Sequence, residues 1–490
     1  MRNIFQPISE HRWLFLLALL LLFFQPYRLG LKIDPATYGA LAKQIELTGT
    51  YWPLGLYDGF FKEFSDHPPL VVWLMSFAMR LPLKDEWAVH LLSRLCCLFT
   101  LLVGVLTLKL NQRTSNKDTF KKEVTFLLVA LSWMDWLKFA GAGQLEGPVS
   151  LWLMALLYFL TRHGQKTRRL SLSDFLLWIF LGSLGFLIKG VFTLPVLVGL
   201  AVFTLVFRKS ALAPIMASLL GWGFGVALLF VLDQSIKTTF ISTYFGTQVF
   251  GTVVSGGIRG VEPLSFSFFR IFSALKTWVE IQVKYSFLWS IPFLIAVPFV
   301  LWKKRRAEID PVLALALVIY FSFMGPIALA AFKLPHWLVP VYPIGALAFS
   351  ILFPWERLRL PKSTESVFKG LVLVLLLIHS FVPFPTTNRY PRGEEFTLNR
   401  DYILENGLQF SRLDLFPDDE KGMPILFQKA YASFYFLPLK VSDLLTRPCD
   451  KNLALISWEN WNQNHEQLRK LGWEESPIRR GQSKFVFCSL

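Results

Sequence analysis

The sequence predicts a polytopic α-helical membrane protein of about eleven spans, followed by a small soluble α/β domain, since a bilayer core of roughly 30 Å asks for about 17–25 apolar residues per spanning helix. Three observations carry that reading. The 490 residues are 53% hydrophobic and 16% aromatic, and the mean hydropathy of +0.45 is higher than soluble domains show. The apolar residues gather in repeated runs of spanning length, plain from Trp13 onward and from Phe368 to Phe384. The net charge of +16 sits in short clusters between those runs, as the positive-inside rule requires of cytoplasmic loops. It does not form one basic stripe, which excludes nucleic-acid binding as its cause.

Threading begins with a cytoplasmic N-terminus. Arg2 and Arg12 precede the first apolar run, and no small-residue cleavage pattern follows it, so a retained helix over about 13–29 is expected rather than a removable signal. An outer loop spans 30–87, where acidic and basic residues nearly balance. Within it, Pro35 to Leu47 reads as a helix with Asp34 as N-cap and Pro in the first turn. Pro69 to Leu81 is apolar but short, and is expected to lie along the membrane interface.

Val89–Leu110 then runs inward to Arg113, Lys117, Lys121 and Lys122. Val124–Ala140 runs outward to Gly141-Ala142-Gly143-Gln144-Leu145-Glu146, and Pro148–Leu160 returns to Arg162, Lys166, Arg168 and Arg169. Leu172–Ile188 goes out and turns at Lys189-Gly190, and Val191–Phe207 comes back to Arg208-Lys209. Leu212–Leu232 leads to a second outer loop, 233–285. Phe287–Trp302 returns to Lys303-Lys304-Arg305-Arg306, the strongest cytoplasmic signal in the chain. Leu313–Ala331 goes out to a tight turn, Lys333-Leu334-Pro335-His336. Trp337–Phe353 comes in to Arg357, Arg359 and Lys362, and Phe368–Phe384 goes out.

These spans define a transmembrane domain over 1–384. Residues 385–490 read as an extracytoplasmic α/β domain, with strands at Ile425–Phe427, Leu453–Ile456 and Phe485–Cys488 and a helix at His465–Leu471. Cys96 and Cys97 lie in an apolar run and read as small lipophilic residues. Cys449 and Cys488 fall outside the cytoplasm, where a disulfide is permitted and the sequence leaves the pairing open.

The threading places Asp34, Asp66, His67, Glu146, Lys189, Lys333 and His336 on one face, although it was set by apolar runs and basic loops alone. Asp34, at a membrane exit, has the chemistry to take the proton of an attacking hydroxyl; its alternative role is the helix cap. Asp66-His67-Pro68-Pro69 presents two polar side chains at the start of a helix, where a His or the helix N-terminus can hold a phosphate. The other reading is a proline-rich turn. Glu146 stands between Gly143 and Pro148 at the mouth of two helices, either as a functional carboxylate at membrane depth or as a solvated one. Lys189 and Lys333 are cations in tight outer turns, suited to a lipid phosphate or to snorkelling. Arg94, Asp135 and Lys138 lie near outer helix ends, and the last two have the i,i+3 spacing of a pair. No glycine-rich phosphate loop argues for ATP-driven transport, and no His/Cys spacing argues for a metal. The carboxylates have the chemistry to bind a divalent cation, and nothing in the sequence requires a cofactor.

This order of features resembles the GT-C membrane glycosyltransferases, in the branch that holds lipid A aminoarabinose transferase and the protein O-mannosyltransferases. The resemblance runs from Trp13 to about Phe384. It rests on Asp34 to Tyr38 after the first span, Asp66-His67-Pro68-Pro69-Leu70, Gln144-Leu145-Glu146-Gly147-Pro148, Gly185-Phe186-Leu187-Ile188-Lys189-Gly190 and Lys333-Leu334-Pro335-His336. It implies a sugar donor on a polyprenyl monophosphate, a lipid, protein or glycan acceptor, and inversion at the anomeric carbon. It also implies Asp34 as base, Glu146 and Asp66 as further acidic positions, and His67, Lys189, Lys333 and His336 around the carrier phosphate. There are departures: Pro35 stands where many relatives carry a second acid, Glu146 replaces the more usual Asp, and His67 stands where some relatives have Lys. A bacterial inner membrane with the site facing the periplasm is the expected location. The rival reading is a lipid-linked saccharide flippase or transporter, which would place polar residues at mid-membrane depth in broken helices.

Overall fold

In a computed structural model of the chain, the described residues are 9, 11–23, 33–55, 64–111, 116–133, 136–165, 170–207, 211–246, 249–250, 276, 310–329, 335–352 and 370, with 412–415, 440–442, 452–457, 466, 469–470, 473–475 and 483–488 in the C-terminal part. They are mostly helical. Helices α1 (Arg12–Phe23), α2 (Ile33–Thr48), α3 (Leu70–Met79), α4 (Asp85–Leu110), α5 (Asn116–Ser132), α6 (Glu146–Gly164), α7 (Leu172–Lys189), α8 (Leu194–Phe207), α9 (Leu212–Ile236), α10 (Phe240–Thr243), α11 (Pro311–Leu329) and α12 (Tyr342–Leu352) follow in chain order. Among the described residues, three helical stretches are long and apolar enough to cross a membrane: Asp85–Leu110, Leu172–Phe207 and Leu212–Ile236. The expected span at 287–302 lies outside the described residues, as does that at 368–384 apart from Gly370, which is helical.

The chain divides into two compact units. One comprises Met1–Gln25, Ser65–Val71 and Ser93–Val382; the other comprises Pro26–Phe64, Val72–Leu92 and Pro383–Leu490. In the second unit, α2 begins at Ile33, so Asp34 lies in the first helical turn instead of capping it. Pro35 explains the early start, because its fixed φ suits the first turn and its missing N–H removes a donor that would otherwise be left over. Lys43 of this helix donates to Asp85 at 2.7 Å.

The same unit contains a five-stranded sheet. Its strands are β1 (Arg412–Leu415), β2 (Lys440–Ser442), β3 (Asn452–Ser457), β4 (Trp473–Glu475) and β5 (Ser483–Cys488), in the order β2-β1-β3-β5-β4. β1 pairs parallel with β2 and β3, while β5 pairs antiparallel with β3 and β4. The expected strands at 453–456 and 485–488 lie within β3 and β5, with Leu455 opposite Phe485. Glu466, Arg469 and Lys470 are helical, and the strand expected at 425–427 lies outside the described residues.

In the first unit the helix ends follow local chemistry. The Ser171 hydroxyl accepts from the Asp174 N–H at 3.1 Å and donates to its carboxylate at 2.8 Å, which fixes the start of α7. Gly190, at φ +59°, ends it. Two expected spans are broken. The run expected as one helix over Val124–Ala140 is α5 followed by a π-helical turn, Trp136–Ala140, in which the Trp136 indole donates to Ser150 at 3.0 Å. The run expected over Trp337–Phe353 begins as a 3-10 helix, Pro335–Val341. Pro340 and Pro343 have no N–H for an α-helical ladder, so regular α geometry starts only at α12.

Among the described residues, α7 and α9 pack with their backbones in close approach. A Cβ on Gly182 would stand 1.8 Å from the Ser218 carbonyl oxygen, and one on Gly221 would stand 2.0 Å from the Ile179 carbonyl oxygen. The Ser183 hydroxyl bridges the helices by donating to Gly221 O at 2.7 Å. Small residues of this kind let backbones approach where lipid offers no hydrophobic drive for association. Gly182→Val must therefore push backbone against backbone. A loss of about 3 kcal/mol, the upper end for overpacking, is expected, read as a lowered unfolding midpoint in detergent. Ser183→Ala should cost only about 1 kcal/mol.

Candidate active site

Glu146 is the first residue of α6 and Lys189 the last of α7, so each is placed by a helix end. The Lys189 ammonium donates to Glu146 Oε1 at 2.6 Å. Both residues are buried, at 2% and 3% exposure. The solvated alternative for Glu146 is therefore overturned, and Lys189 is not a solitary cation. An acid in the first turn of α6 and a base in the last turn of α7 each suit their helix dipoles. An ammonium has three protons to donate. Glu146 takes one, and among the described residues no other group accepts from Lys189.

Close packing holds Glu146. A Cβ on Gly147 would lie 2.6 Å from the Ala140 carbonyl oxygen and 2.8 Å from that of Ser93, so only glycine lets α6 begin here. The Ser93 hydroxyl donates to the Gln144 carbonyl at 2.9 Å. Arg94, beside it, directs its Nε to Gly141 O at 3.4 Å and lies over the Phe23 ring.

The Lys189 turn is held equally closely. Gly190 adopts φ +59°, a conformation that L side chains rarely reach, and an added Cβ would stand 1.8 Å from the Tyr244 hydroxyl. That hydroxyl accepts from the Val191 N–H at 3.0 Å. Burial pushes the Tyr244 phenol above its usual range, against the lowering effect of the Val191 hydrogen bond, so it stays protonated at neutral pH.

Other segments singled out in the sequence reach the same turn. Pro68, directly after Asp66 and His67, approaches Gly190 from the side where a Cβ would point, with its Cγ 3.3 Å from that position. Asp66 and His67 are half-buried ahead of α3. Phe192, in the 3-10 turn Gly190–Thr193, packs on Trp337 with ring centroids 5.3 Å apart. Trp337 directly follows His336, and both belong to the 3-10 helix Pro335–Val341. Lys333 and Asp135 lie outside the described residues. Lys138 belongs to the π-helical turn, so pairing between Asp135 and Lys138 is not described. Asp34 lies half-buried in the other unit. Among the described residues no cluster of His, Cys, Asp and Glu has the grouping of a metal site.

Sequence reading missed Tyr244 and Asp233. The outer segment was expected to begin at Asp233, yet α9 continues to Ile236. The Asp233 carboxylate accepts from the Phe240 N–H at 3.0 Å and the Ile241 N–H at 3.1 Å, and binds the Thr238 hydroxyl. An Asp near a helix end and a Tyr in an apolar segment carry no pattern that marks them.

Residues 66–232 match the family model described as dolichyl-phosphate-mannose-protein mannosyltransferase, a stretch that contains Asp66, Glu146 and Lys189. No curated protein matches the chain in sequence. The structure is similar to ArnT from Cupriavidus metallidurans bound to undecaprenyl phosphate, with a TM-score of 0.65 over 98% of each chain at 15% identity. Its apo form gives 0.62 over the same shares at 15% identity. The structure is also similar to the archaeal oligosaccharyltransferase AglB from Archaeoglobus fulgidus, in complex with an inhibitory peptide and a dolichol-phosphate. There the TM-score is 0.51 at 11% identity, covering 97% of this chain and 74% of that one. With its apolar helices, the family-model match over 66–232 and this architecture, the chain is a membrane protein with the GT-C fold.

Proposed function

We propose that this chain is an inverting glycosyltransferase that moves a sugar from a polyprenyl-phosphate carrier to a hydroxyl acceptor on the extracytoplasmic face of the membrane. The observation that carries the reading is Lys189. It is a buried ammonium with one proton on Glu146 and, among the described residues, no acceptor for the other two. Burying an ion pair costs several kcal/mol per ion in lost hydration. A pair kept under that cost, with donors to spare, suits an anion that arrives with the substrate. The similarly folded ArnT and AglB were each solved with a polyprenyl phosphate.

The step is a displacement. The acceptor oxygen attacks the anomeric carbon, the bond from that carbon to the phosphate oxygen breaks with inversion, and the polyprenyl phosphate leaves with an added negative charge. Lys189 donates to that oxygen as charge develops, and a fixed cation in a water-poor site is worth most there. Glu146 keeps the ammonium in place. Asp34 takes the acceptor proton, in line with the family pattern. His67, Lys333 and His336 complete the phosphate surroundings, and Asp66 adds a third carboxylate. The scheme needs no cofactor. The C-terminal domain, 385–490, is read as an extracytoplasmic α/β unit, and the membrane as a bacterial inner membrane.

Purified protein should transfer sugar from at least one member of a panel of labelled polyprenyl-phosphate sugars, or hydrolyse it slowly when no acceptor is present. Reconstituted protein that moves a lipid-linked saccharide across the bilayer without breaking the glycosyl bond would establish the transporter reading instead.

A further inference from the structure

We propose that Tyr244 is a positioning residue for the Glu146–Lys189 pair, acting through the Gly190 turn. This rests on the reading that the pair serves sugar transfer. The chain of contacts starts at the end of α9. Asp233 is buried, and its carboxylate accepts from the N–H groups of Phe240 and Ile241. That holds the short helix α10 against the end of α9 and orients the residues after it. Tyr244 follows, with its ring stacked on Phe240 at 5.8 Å and 4° and set edge-on to Phe186 at 6.4 Å. Phe186 belongs to the last turn of α7, the turn that ends in Lys189.

Ring and hydroxyl thus grip the turn from two sides. The hydroxyl takes the Val191 N–H, one of the donors that the interrupted helix leaves over, and fills the space beside the Gly190 Cα. Pro68 closes the same space, so the Asp66-His67 segment bears on the turn as well. Gly190 is required twice: for φ +59° and for the room that Tyr244 occupies. Removing only the hydroxyl oxygen leaves the stacked ring in place, strands the Val191 N–H and frees the turn to swing Lys189 away from Glu146. Among the described residues Tyr244 makes no hydrogen bond to either partner of the pair, so its effect is geometric.

The test compares wild type, Tyr244→Phe and Gly190→Ala as full-length protein in detergent. The first readout is the rate at which an acetyl N-hydroxysuccinimide ester labels Lys189, followed by mass spectrometry with Lys43 as internal control. Tyr244→Phe should label Lys189 at least about fivefold faster because the turn opens more often, with Lys43 unchanged and the unfolding midpoint within a few degrees of wild type. Turnover should fall by about ten- to a hundredfold, as misplacement of a reacting group by about 1 Å does, with KM for the carrier within about threefold, the mark of an interaction that serves the transition state. Gly190→Ala should likewise speed Lys189 labelling and lower turnover, with a lower midpoint from the strain at φ +59°, and the double variant should be no worse in turnover than the more damaging single one. If Tyr244→Phe fails to fold, Gly190→Ala and Asp233→Asn read the same coupling. Unchanged Lys189 labelling overturns the positioning role whatever turnover does. Faster labelling at Lys43 as well, or a collapsed midpoint, makes Tyr244 a general structural residue and overturns it too. Faster labelling of Lys189 alone with undiminished turnover upholds the positioning role, and instead removes Lys189 from the reaction.

Discussion

Glu146→Gln should lower sugar transfer by at least about a hundredfold, a loss of the size seen when a preorganised charge-stabilising group is removed. The fold should suffer as well. Gln keeps the shape of the side chain but leaves the Lys189 ammonium, 2% exposed, without its counter-charge. Breaking one side of a buried pair costs roughly 3–5 kcal/mol, a large part of the 5–15 kcal/mol that separates folded from unfolded domains. A fall in activity alone would thus be ambiguous, and the charge-neutral double variant Glu146→Gln, Lys189→Met resolves it. Neutral replacement of a buried pair is often near neutral for stability, so the unfolding midpoint should return most of the way to wild type. Turnover should not return, because no cation remains for the leaving phosphate. Recovery of both would make the pair a structural device and leave the proposed reaction without its electrophilic group. Lys189→Met alone completes the cycle: it strands a carboxylate where Glu146→Gln strands an ammonium. The coupling energy between the two sites then measures the pair apart from either desolvated charge.

The helical fold was legible because its cause is local. Apolar runs and basic clusters follow from the bilayer and its charge rule, and the extent of α7 was legible from the apolar run that starts at Leu172 and from the turn at Lys189-Gly190. The interruptions were less so. The π-helical turn at Trp136–Ala140 depends on an indole that reaches Ser150, and the 3-10 start at Pro335 depends on prolines inside an apolar run that reads as a plain span. Apolarity marks what lies in lipid and says little about where an α ladder begins. The site was legible as a set of residue types and not as a geometry. Glu146 and Lys189 were both singled out, one as a carboxylate at a helix mouth and the other as a phosphate ligand. Their pairing joins residues 43 apart in sequence, which no helical or strand period connects. Tyr244 was invisible because its role is set by the vacancy at Gly190, and a vacancy leaves no mark in a sequence except the glycine itself.

The second large effect belongs to Asp34. Asp34→Asn should reduce transfer by about a hundred- to ten-thousandfold, the range for loss of a general base, with the unfolding midpoint read alongside so that lost stability is separated from lost chemistry. The two parts have different physical sources. Asp34 lies in the first turn of α2, where a negative charge gains about 0.3–1 kcal/mol from the helix dipole. Asn forfeits that and keeps an oxygen acceptor of nearly the same reach. A loss of that size barely shifts the folded fraction of a protein stable by several kcal/mol, so a midpoint that stays close to wild type assigns a large fall in activity to chemistry and not to unfolding. The reading of Asp34 as helix furniture predicts the reverse: a slightly lower midpoint and full activity. A change of acceptor sharpens the distinction. A general base matters in proportion to how reluctantly the nucleophile gives up its proton. A phenol-type acceptor, more acidic than a sugar hydroxyl, should therefore gain less from the presence of Asp34, and the rate gap between wild type and Asp34→Asn should narrow as acceptor acidity rises. A gap that stays constant across acceptors would mean that Asp34 orients the substrate without taking its proton, and the base would have to be sought among the remaining carboxylates, with Asp66 the first to test.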